Sequence, residues 1–439
     1  MMNPVAPRFR TEPAAAAPGK AHSIAPGEIA MGVIIGRTSE YFDFFVYAIA
    51  SVLVFPTVFF PFEARLEGML QAFVLFALAF VARPLGTVAF MAIQRRLGRE
   101  AKLTIALFLL GLSTAGIAFL PTYADLGMAS IVLLGVLRVG QGVALGGSWD
   151  GLPSLLALNA PRERRGWYAM LGQLGAPLGF LLAAGLFSYL VTELSTVDFM
   201  DWGWRYPFYV AFAINVVALF ARLRLVSTPE YARLLDANEL EPVGVVEVVQ
   251  SQGRNVLIGA LAALASYALF HLVTVFPLSW ISLYSDRPIS EVLGTQMVGA
   301  VLAIAGIVAS GLISDRFGRK RTLAVLALLI AAFSGVAPPL LASGWDGQRL
   351  FILLGFALLG LSYGQASGAV AANFSAKYRY TGAALTSDLA WLVGAGFAPL
   401  VVLGLSAHFG LAYVGIYLLS GALGTLAALS INRAMEIRD

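Results

Sequence analysis

The chain has 439 residues, 59% of them hydrophobic and only 12% charged, with a mean hydropathy of +0.80; that is about half the charge of an ordinary soluble domain. So little charge cannot cover so much apolar surface in water, which excludes a soluble enzyme, a disordered scaffold and a nucleic-acid binder. The absence of cysteine excludes disulfides, thiolate zinc sites and cysteine nucleophiles.

Residues 1–27 are rich in Ala and Pro and carry Arg8, Arg10 and Lys20. They lack the apolar run and cleavage pattern of a signal peptide and read as a cytoplasmic tail. Apolar stretches follow at 28–60, 68–92, 102–121, 125–158, 165–191 and 204–225. Each suits a membrane-spanning helix, which needs roughly 20 residues. A polar stretch, 226–254, reads as a solvated linker with short amphipathic helices. Six more apolar stretches come at 255–284, 291–314, 321–343, 347–373, 379–408 and 410–432, before a short tail at 433–439. The expected architecture is an all-α membrane protein with 12 transmembrane helices, a six-helix bundle over 28–225 and another over 255–432.

Loop charge sets the expected orientation. With the N-terminus inside, most Lys and Arg fall in cytoplasmic segments, and only Arg65, Arg287 and Arg349 fall in external ones. This bias predicts both termini in the cytoplasm of a multi-pass protein in the cytoplasmic membrane.

The two halves repeat. Gly86–Leu103 matches Gly306–Leu323 without a gap at eight of 18 positions, including Arg96, Gly98 and Arg99 against Arg316, Gly318 and Arg319. The same offset maps Gly135 to Gly355 and Gly140 to Gly360. Two parallel copies of a six-helix unit predict a transporter with its site at the interface between the halves. Asp315 can cap the helix that follows it or pair across that interface.

Several motifs carry a family resemblance. Gly311-Leu-Ile-Ser-Asp-Arg-Phe-Gly-Arg-Lys320 resembles the loop between helices 8 and 9 of the major facilitator superfamily. Glu40-Tyr-Phe-Asp43, Arg83-Pro-Leu-Gly86, Arg138-Val-Gly-Gln141-Gly142, Gln173-Leu-Gly-Ala-Pro-Leu-Gly179 and Trp202-Gly-Trp-Arg-Tyr-Pro207 more narrowly resemble its metabolite:H⁺ symporter family. The resemblance implies the major facilitator fold, with helices 1, 4, 7 and 10 lining a central cavity. Two motifs depart from the pattern. Met91 and Arg95 stand where the first loop usually has Gly and Asp, which removes an acidic partner from a gate between the halves. Ser148 stands where helix 4 usually has Glu, and Asp150 lies about 200° away around the helix.

Charges at membrane depth mark function or a paired structural site. On helix 1, Arg37, Glu40, Asp43 and Tyr47 share a wedge about 120° wide. Asp43 and Arg138 fall at similar depth, roughly 20 Å along their helices, so an ion pair or shared network is expected. Asp43, Glu40 and Arg138 are the expected proton-coupling groups. Arg138, Tyr47, Gln173, Tyr267, His271 and Tyr363 are the expected substrate contacts. Tyr267 and His271 share one face of helix 7; His271 reads as a ligand to substrate or a packing residue, and less readily as a proton carrier. Arg83, Arg96, Arg99, Asp150, Asp315, Arg316, Arg319 and Asp388 are the expected gating residues.

The expected function is proton-coupled symport of a small organic solute, a carboxylate or zwitterion, by alternating access. A proton-coupled efflux antiporter is the nearest alternative, and a non-transporting sensor with the same fold the next. No cluster suited to enzyme catalysis or metal binding and no nucleotide-binding motif is present in the sequence. Neither a cofactor nor a nucleic-acid partner is expected. The partners are the solute, protons and the lipid bilayer, and the fold needs only one chain.

Overall fold

The computed structural model describes residues 26–149, 156, 160–226, 241–371 and 374–432. The described residues are helical throughout and contain no strand. Twelve long helices follow one another. In the first half these are α1 (Pro26–Leu53), α2 (Arg65–Leu97), α3 (Arg99–Ala118), α4 (Met128–Gly147), α5 (Arg165–Glu193) and α6 (Tyr206–Val226). In the second half α7 runs through Val245–Ala262, Leu264–Thr274 and Phe276–Tyr284. It is followed by α8 (Ile289–Phe317), α9 (Arg319–Ala342), α10 (Trp345–Gly368), α11 (Lys377–Phe409) and α12 (Ala412–Ile431). Helix α7 begins inside the polar stretch 226–254, because its first turns are amphipathic rather than apolar. The tails before 26 and after 432, residues 227–240 of the linker, and Asp150 lie outside the described residues.

Eleven of these helices are long and apolar enough to cross a membrane. Helix α1 has the length, but Arg37, Glu40 and Asp43 crowd its middle. Glu40 and Asp43 are buried inside the protein, and Arg37 is half-buried and paired with Glu40, as a helix in lipid requires. The halves form two six-helix bundles packed against each other, chiefly α5 on α8 and α2 on α11.

Close packing inside each bundle relies on glycine. A Cβ at Gly142 of α4 would stand 2.6 Å from Ala79 Cα of α2, and one at Gly360 of α10 would stand 2.6 Å from Ala303 Cα of α8. Small residues let helix backbones meet in this way where lipid offers no hydrophobic drive. The packing counterpart of Gly360 is thus Gly142, whereas the sequence offset pairs it with Gly140.

The two repeat loops turn at Gly98 (φ 88°) and Gly318 (φ 84°), conformations that glycine adopts without strain. They lie at one end of the molecule, called here the basic end, with Arg95, Arg96, Arg99, Arg316 and Arg319. At the opposite end Arg205 donates to the carbonyls of Ala118 and Leu120, both at 2.8 Å. A cation there satisfies the C-terminal carbonyls of α3.

Several helices are broken near the centre. A 3₁₀ turn, Gly172–Leu174, interrupts α5, and α7 breaks at Ala263 and Val275. A π segment, Leu392–Gly396, interrupts α11. Such breaks occur at membrane depth only where protein or a water-filled cavity surrounds the backbone. Pro277, two residues past the Val275 break, marks that one break in the sequence.

Candidate functional site

Asp43 and Arg138 belong to one buried network, and no ion pair joins them. Thr114 Oγ1 of α3 donates to Asp43 Oδ1 at 2.6 Å. Gln141 Nε2 of α4 donates to Asp43 Oδ2 at 3.4 Å and to Thr114 Oγ1 at 3.0 Å. The other end of the same amide, Gln141 Oε1, accepts from Arg138 Nη1 at 3.0 Å. Arg138 Nε donates to the Phe76 carbonyl at 3.2 Å. Its guanidinium lies 3.8 Å from the Tyr47 ring centroid and 4.9 Å from that of Phe76. These faces attract the cation without neutralising it. Arg138 Nη2 and Tyr47 Oη are buried without a hydrogen-bond partner.

Glu40 belongs to a separate cluster. Arg37 Nη1 reaches Glu40 Oε2 at 2.9 Å and Arg222 Nη1 reaches Oε1 at 2.7 Å. Arg222, at the end of α6, also donates to the Ser148 carbonyl at 2.8 Å. Helical angle places Glu40 and Asp43 on one wedge, but different neighbouring helices meet them: Glu40 is bound by cations and Asp43 by neutral donors. Two arginines meet one carboxylate, so Glu40 ties α1 to α6.

The C-terminal half presents His271 to this network. His271 is fully buried, and Thr274 Oγ1 lies 3.4 Å from its Nδ1. Its Nε2 has no partner. The ring sits 5.4 Å from both Phe44 and Phe76, the two rings that Arg138 also approaches. Arg138 and His271 thus pack against the same two rings, one from each half.

More aromatic rings pack beside these two. Trp391 lies 4.9 Å from Tyr267, 5.0 Å from Phe270 and 6.0 Å from Phe80. Tyr363 lies 5.2 Å from Phe270, and its hydroxyl shares a short hydrogen bond with that of Tyr41. The π segment after Trp391 brings α11 close: a Cβ at Gly394 would stand 2.6 Å from Tyr267 Cβ, and one at Gly396 would stand 2.8 Å from Phe80 Cβ. A cavity of about 40 Å³ opens on Phe44, Phe80 and Trp391 from the side of Arg37, Glu40 and Arg83. A solute site needs roughly 300 Å³ or more, so these rings must part to admit one.

Of the other expected substrate contacts, Tyr267 and Tyr363 join the ring cluster. Tyr47 instead stacks under Arg138 within the N-terminal bundle, against Phe55 and Phe76. Gln173 is buried in the 3₁₀ turn of α5, packed beside α1, and is not among the groups around His271.

Several contacts fasten the halves together towards the basic end, among them those of Asp388, Asp315 and Tyr380. Arg83 Nε of α2 lies 2.7 Å from Asp388 Oδ1 of α11, and Thr87 Oγ1 donates to Asp388 Oδ2 at 2.5 Å. Asp315 of α8 accepts from the backbone N–H groups of Gly166 (2.6 Å) and Trp167 (3.2 Å). It therefore caps α5 across the interface rather than its own following helix. At the other repeat loop, Lys102 Nζ and Tyr380 Oη both bond to Gln94 Oε1, at 3.0 and 3.1 Å, and both bond to the Trp149 carbonyl. Tyr380 comes from α11 and the other groups from the N-terminal half. This hydroxyl and ammonium latch occupies the loop where Arg95 stands in place of the usual acid. Arg96 and Arg316 are exposed, and no described contact carries either across the interface. Arg99 is half-buried. Arg319 donates to the Gly368 carbonyl at 3.3 Å, within its own half.

Sequence reasoning missed Thr114, Lys102, Tyr380 and Trp391, and passed over Gln141 and Arg222. Gln141 was visible inside the helix 4 motif. Arg222 looked like one more basic residue at a helix end.

The sequence profile of the Major Facilitator Superfamily matches residues 124–399. An inner membrane metabolite transport protein of Escherichia coli, YhjE, is 36% identical over 411 residues, covering 92% of this chain and 93% of that protein. A shikimate transporter of Escherichia coli is 30% identical over 405 residues, covering 90% and 91%. Among solved structures, the xylose transporter XylE of Escherichia coli in a partially occluded inward-open conformation superposes with a TM-score of 0.70. It is 18% identical and covers 92% of this chain and 97% of that one.

Proposed function

The chain belongs to the major facilitator superfamily and is a transporter of metabolites, not an enzyme; from that premise we propose that it carries a small organic carboxylate across the bacterial inner membrane together with protons. The relatives support a small organic solute and an inner-membrane location. The loop charges support placing the basic end in the cytoplasm.

One observation carries the reading. A buried carboxylate, Asp43, is joined through a neutral amide to a buried cation, Arg138, whose remaining nitrogen is unpartnered. Protonating Asp43 removes the charge that holds the Gln141 amide. Gln141 then turns, and Arg138 loses its Nη1 partner and gains a stronger one in a substrate carboxylate. With both charges answered, the halves rock and the contacts of Asp388, Asp315 and Tyr380 break. Deprotonation on the cytoplasmic side restores the amide bridge and expels the carboxylate. A ligand shifts such an equilibrium only through differential interaction with the two states, and here proton and carboxylate supply it together.

The test is proton entry into liposomes that hold purified protein and a pH-sensitive dye. Carboxylates added outside should acidify the lumen. If no carboxylate moves protons while other solutes do, the reading is wrong.

A further inference from the structure

A second recess lies at the end of the molecule opposite the basic one. It holds about 310 Å³ between the first turns of α8 and α10. Glu291, Thr295 and Val298 line it from α8, and Trp345, Arg349 and Leu353 line it from α10. No residue of the N-terminal half borders it. It therefore opens on the flank of one bundle rather than on the path between the two.

The lining passes from charged to apolar with depth. Glu291 stands in the first turn of α8, and Trp345 opens α10. An indole at such a helix end suits the boundary between headgroups and hydrocarbon, where its ring is half apolar and half wet. Glu291, Val298, Val301 and Leu302 fall in one stripe along α8. The three apolar members are 55%, 55% and 40% exposed, so the stripe continues the recess as an open apolar track. From Glu291 to Leu302 it runs about 16 Å. That is one leaflet, half of a hydrocarbon core about 30 Å thick.

Opposite charges meet at the mouth. Arg349 is exposed and forms no hydrogen bond or ion pair among the described residues. Arg287 comes only within 3.5 Å of Glu291, both side chains are nearly half-exposed, and its guanidinium lies over the Trp345 ring at 5.4 Å. A pair so loose contributes little and leaves Glu291 open to a second cation. A headgroup with a phosphate followed by a primary amine answers both charges. A glycerol on the same phosphate offers Glu291 no cation. We propose that this recess binds a phospholipid with an ethanolamine headgroup in the external leaflet. Its phosphate meets Arg349, its ammonium meets Glu291, and an acyl chain follows Val298 and Leu302. Neither the identity of the solute nor proton coupling enters this assignment.

The experiment is native mass spectrometry of the full chain, purified and delipidated in detergent, then titrated with dioleoyl lipids bearing ethanolamine or glycerol headgroups. The first ethanolamine lipid should bind about fivefold more tightly than the first glycerol lipid, the upper end of what one exposed ion pair contributes. Glu291→Gln should abolish that preference. Arg349→Gln should weaken both lipids, since both carry the phosphate. Arg65→Gln removes an exposed arginine of the N-terminal half and should change neither. Glycerophosphoethanolamine, the same headgroup without chains, should not displace the lipid at equal concentration. The proposal is overturned if the glycerol lipid binds the wild type as well as the ethanolamine lipid, or if the chain-free headgroup displaces the lipid. It is equally overturned if the preference survives Glu291→Gln or if Arg349→Gln binds like the wild type. The substituted side chains are exposed, so an unchanged melting temperature without lipid verifies folding, and the wild-type lipid series decides the matter even if a variant fails to fold.

Discussion

Asp43 and Arg138 both hold Gln141, one at each end of its amide: Nε2 donates to Asp43 at 3.4 Å and Oε1 accepts from Arg138 at 3.0 Å. A direct ion pair would compensate both charges and resist opening, since breaking a buried pair leaves a bare charge at a cost of about 3–5 kcal/mol. An amide can rotate once Asp43 is protonated, and the one charge it then uncovers, Arg138, is answered by the substrate carboxylate.

Gln141→Glu should therefore arrest the cycle. It places a permanent carboxylate against Arg138 and a second negative charge beside Asp43. We expect solute accumulation to fall at least tenfold while the protein still folds. Gln141→Ala should retain some exchange but couple poorly to protons. Uptake assays in liposomes at several external pH values distinguish the two.

The Arg83–Asp388 contact should control access from the basic end. Asp388→Asn keeps the shape and removes the charge that holds α2 to α11. The chain has no cysteine of its own, so a thiol introduced by Ala79→Cys, on the wall of the small cavity, can be labelled without background. Labelling by a membrane-impermeant reagent applied at that end should rise severalfold in the Asp388→Asn background. An unchanged rate would show that this contact does not hold the halves together.

The two latches at the repeat loops should each contribute modestly. Asp315→Ala removes a cap from α5, worth about 0.5–2 kcal/mol. Tyr380→Phe removes a hydroxyl shared by Gln94 and the Trp149 carbonyl, worth about 1 kcal/mol. Because both span the same interface, the double variant should open the basic end more than either single one. The same thiol, placed in each background, measures it.

Gly142→Leu should damage the N-terminal bundle itself. Its side chain would start 2.6 Å from Ala79 Cα, and overpacking of this kind typically costs about 1–3 kcal/mol. The melting temperature in detergent should drop by several degrees, with or without solute. Gly244→Ala, where a Cβ meets nothing within 4 Å, is the control and should not change it.

The span count, the internal repeat and the polar wedge of α1 were legible because membrane helices announce themselves by length, apolarity and periodicity. Which neighbour each polar side chain meets was not legible. Helical angle puts Glu40 and Asp43 on one face, and only tertiary packing sends Arg222 to the first and Gln141 to the second. Trp391 and Phe44 were invisible as site residues, because in a sequence rich in aromatic residues a cavity wall and a core look the same. Tyr380 was hidden for a related reason: the loop motif announces its missing acid at Arg95, while the group that meets this loop sits on α11, far along the chain.

The most direct test of proton coupling compares exchange with accumulation in Asp43→Asn. In liposomes loaded with an accepted carboxylate, the variant should still exchange internal for external solute, since a neutral residue 43 imitates the protonated form. Under an inward proton gradient it should fail to concentrate the solute at all, whereas the wild type accumulates it. Full gradient-driven accumulation by Asp43→Asn would contradict the account, because the proton would then be carried by some other group.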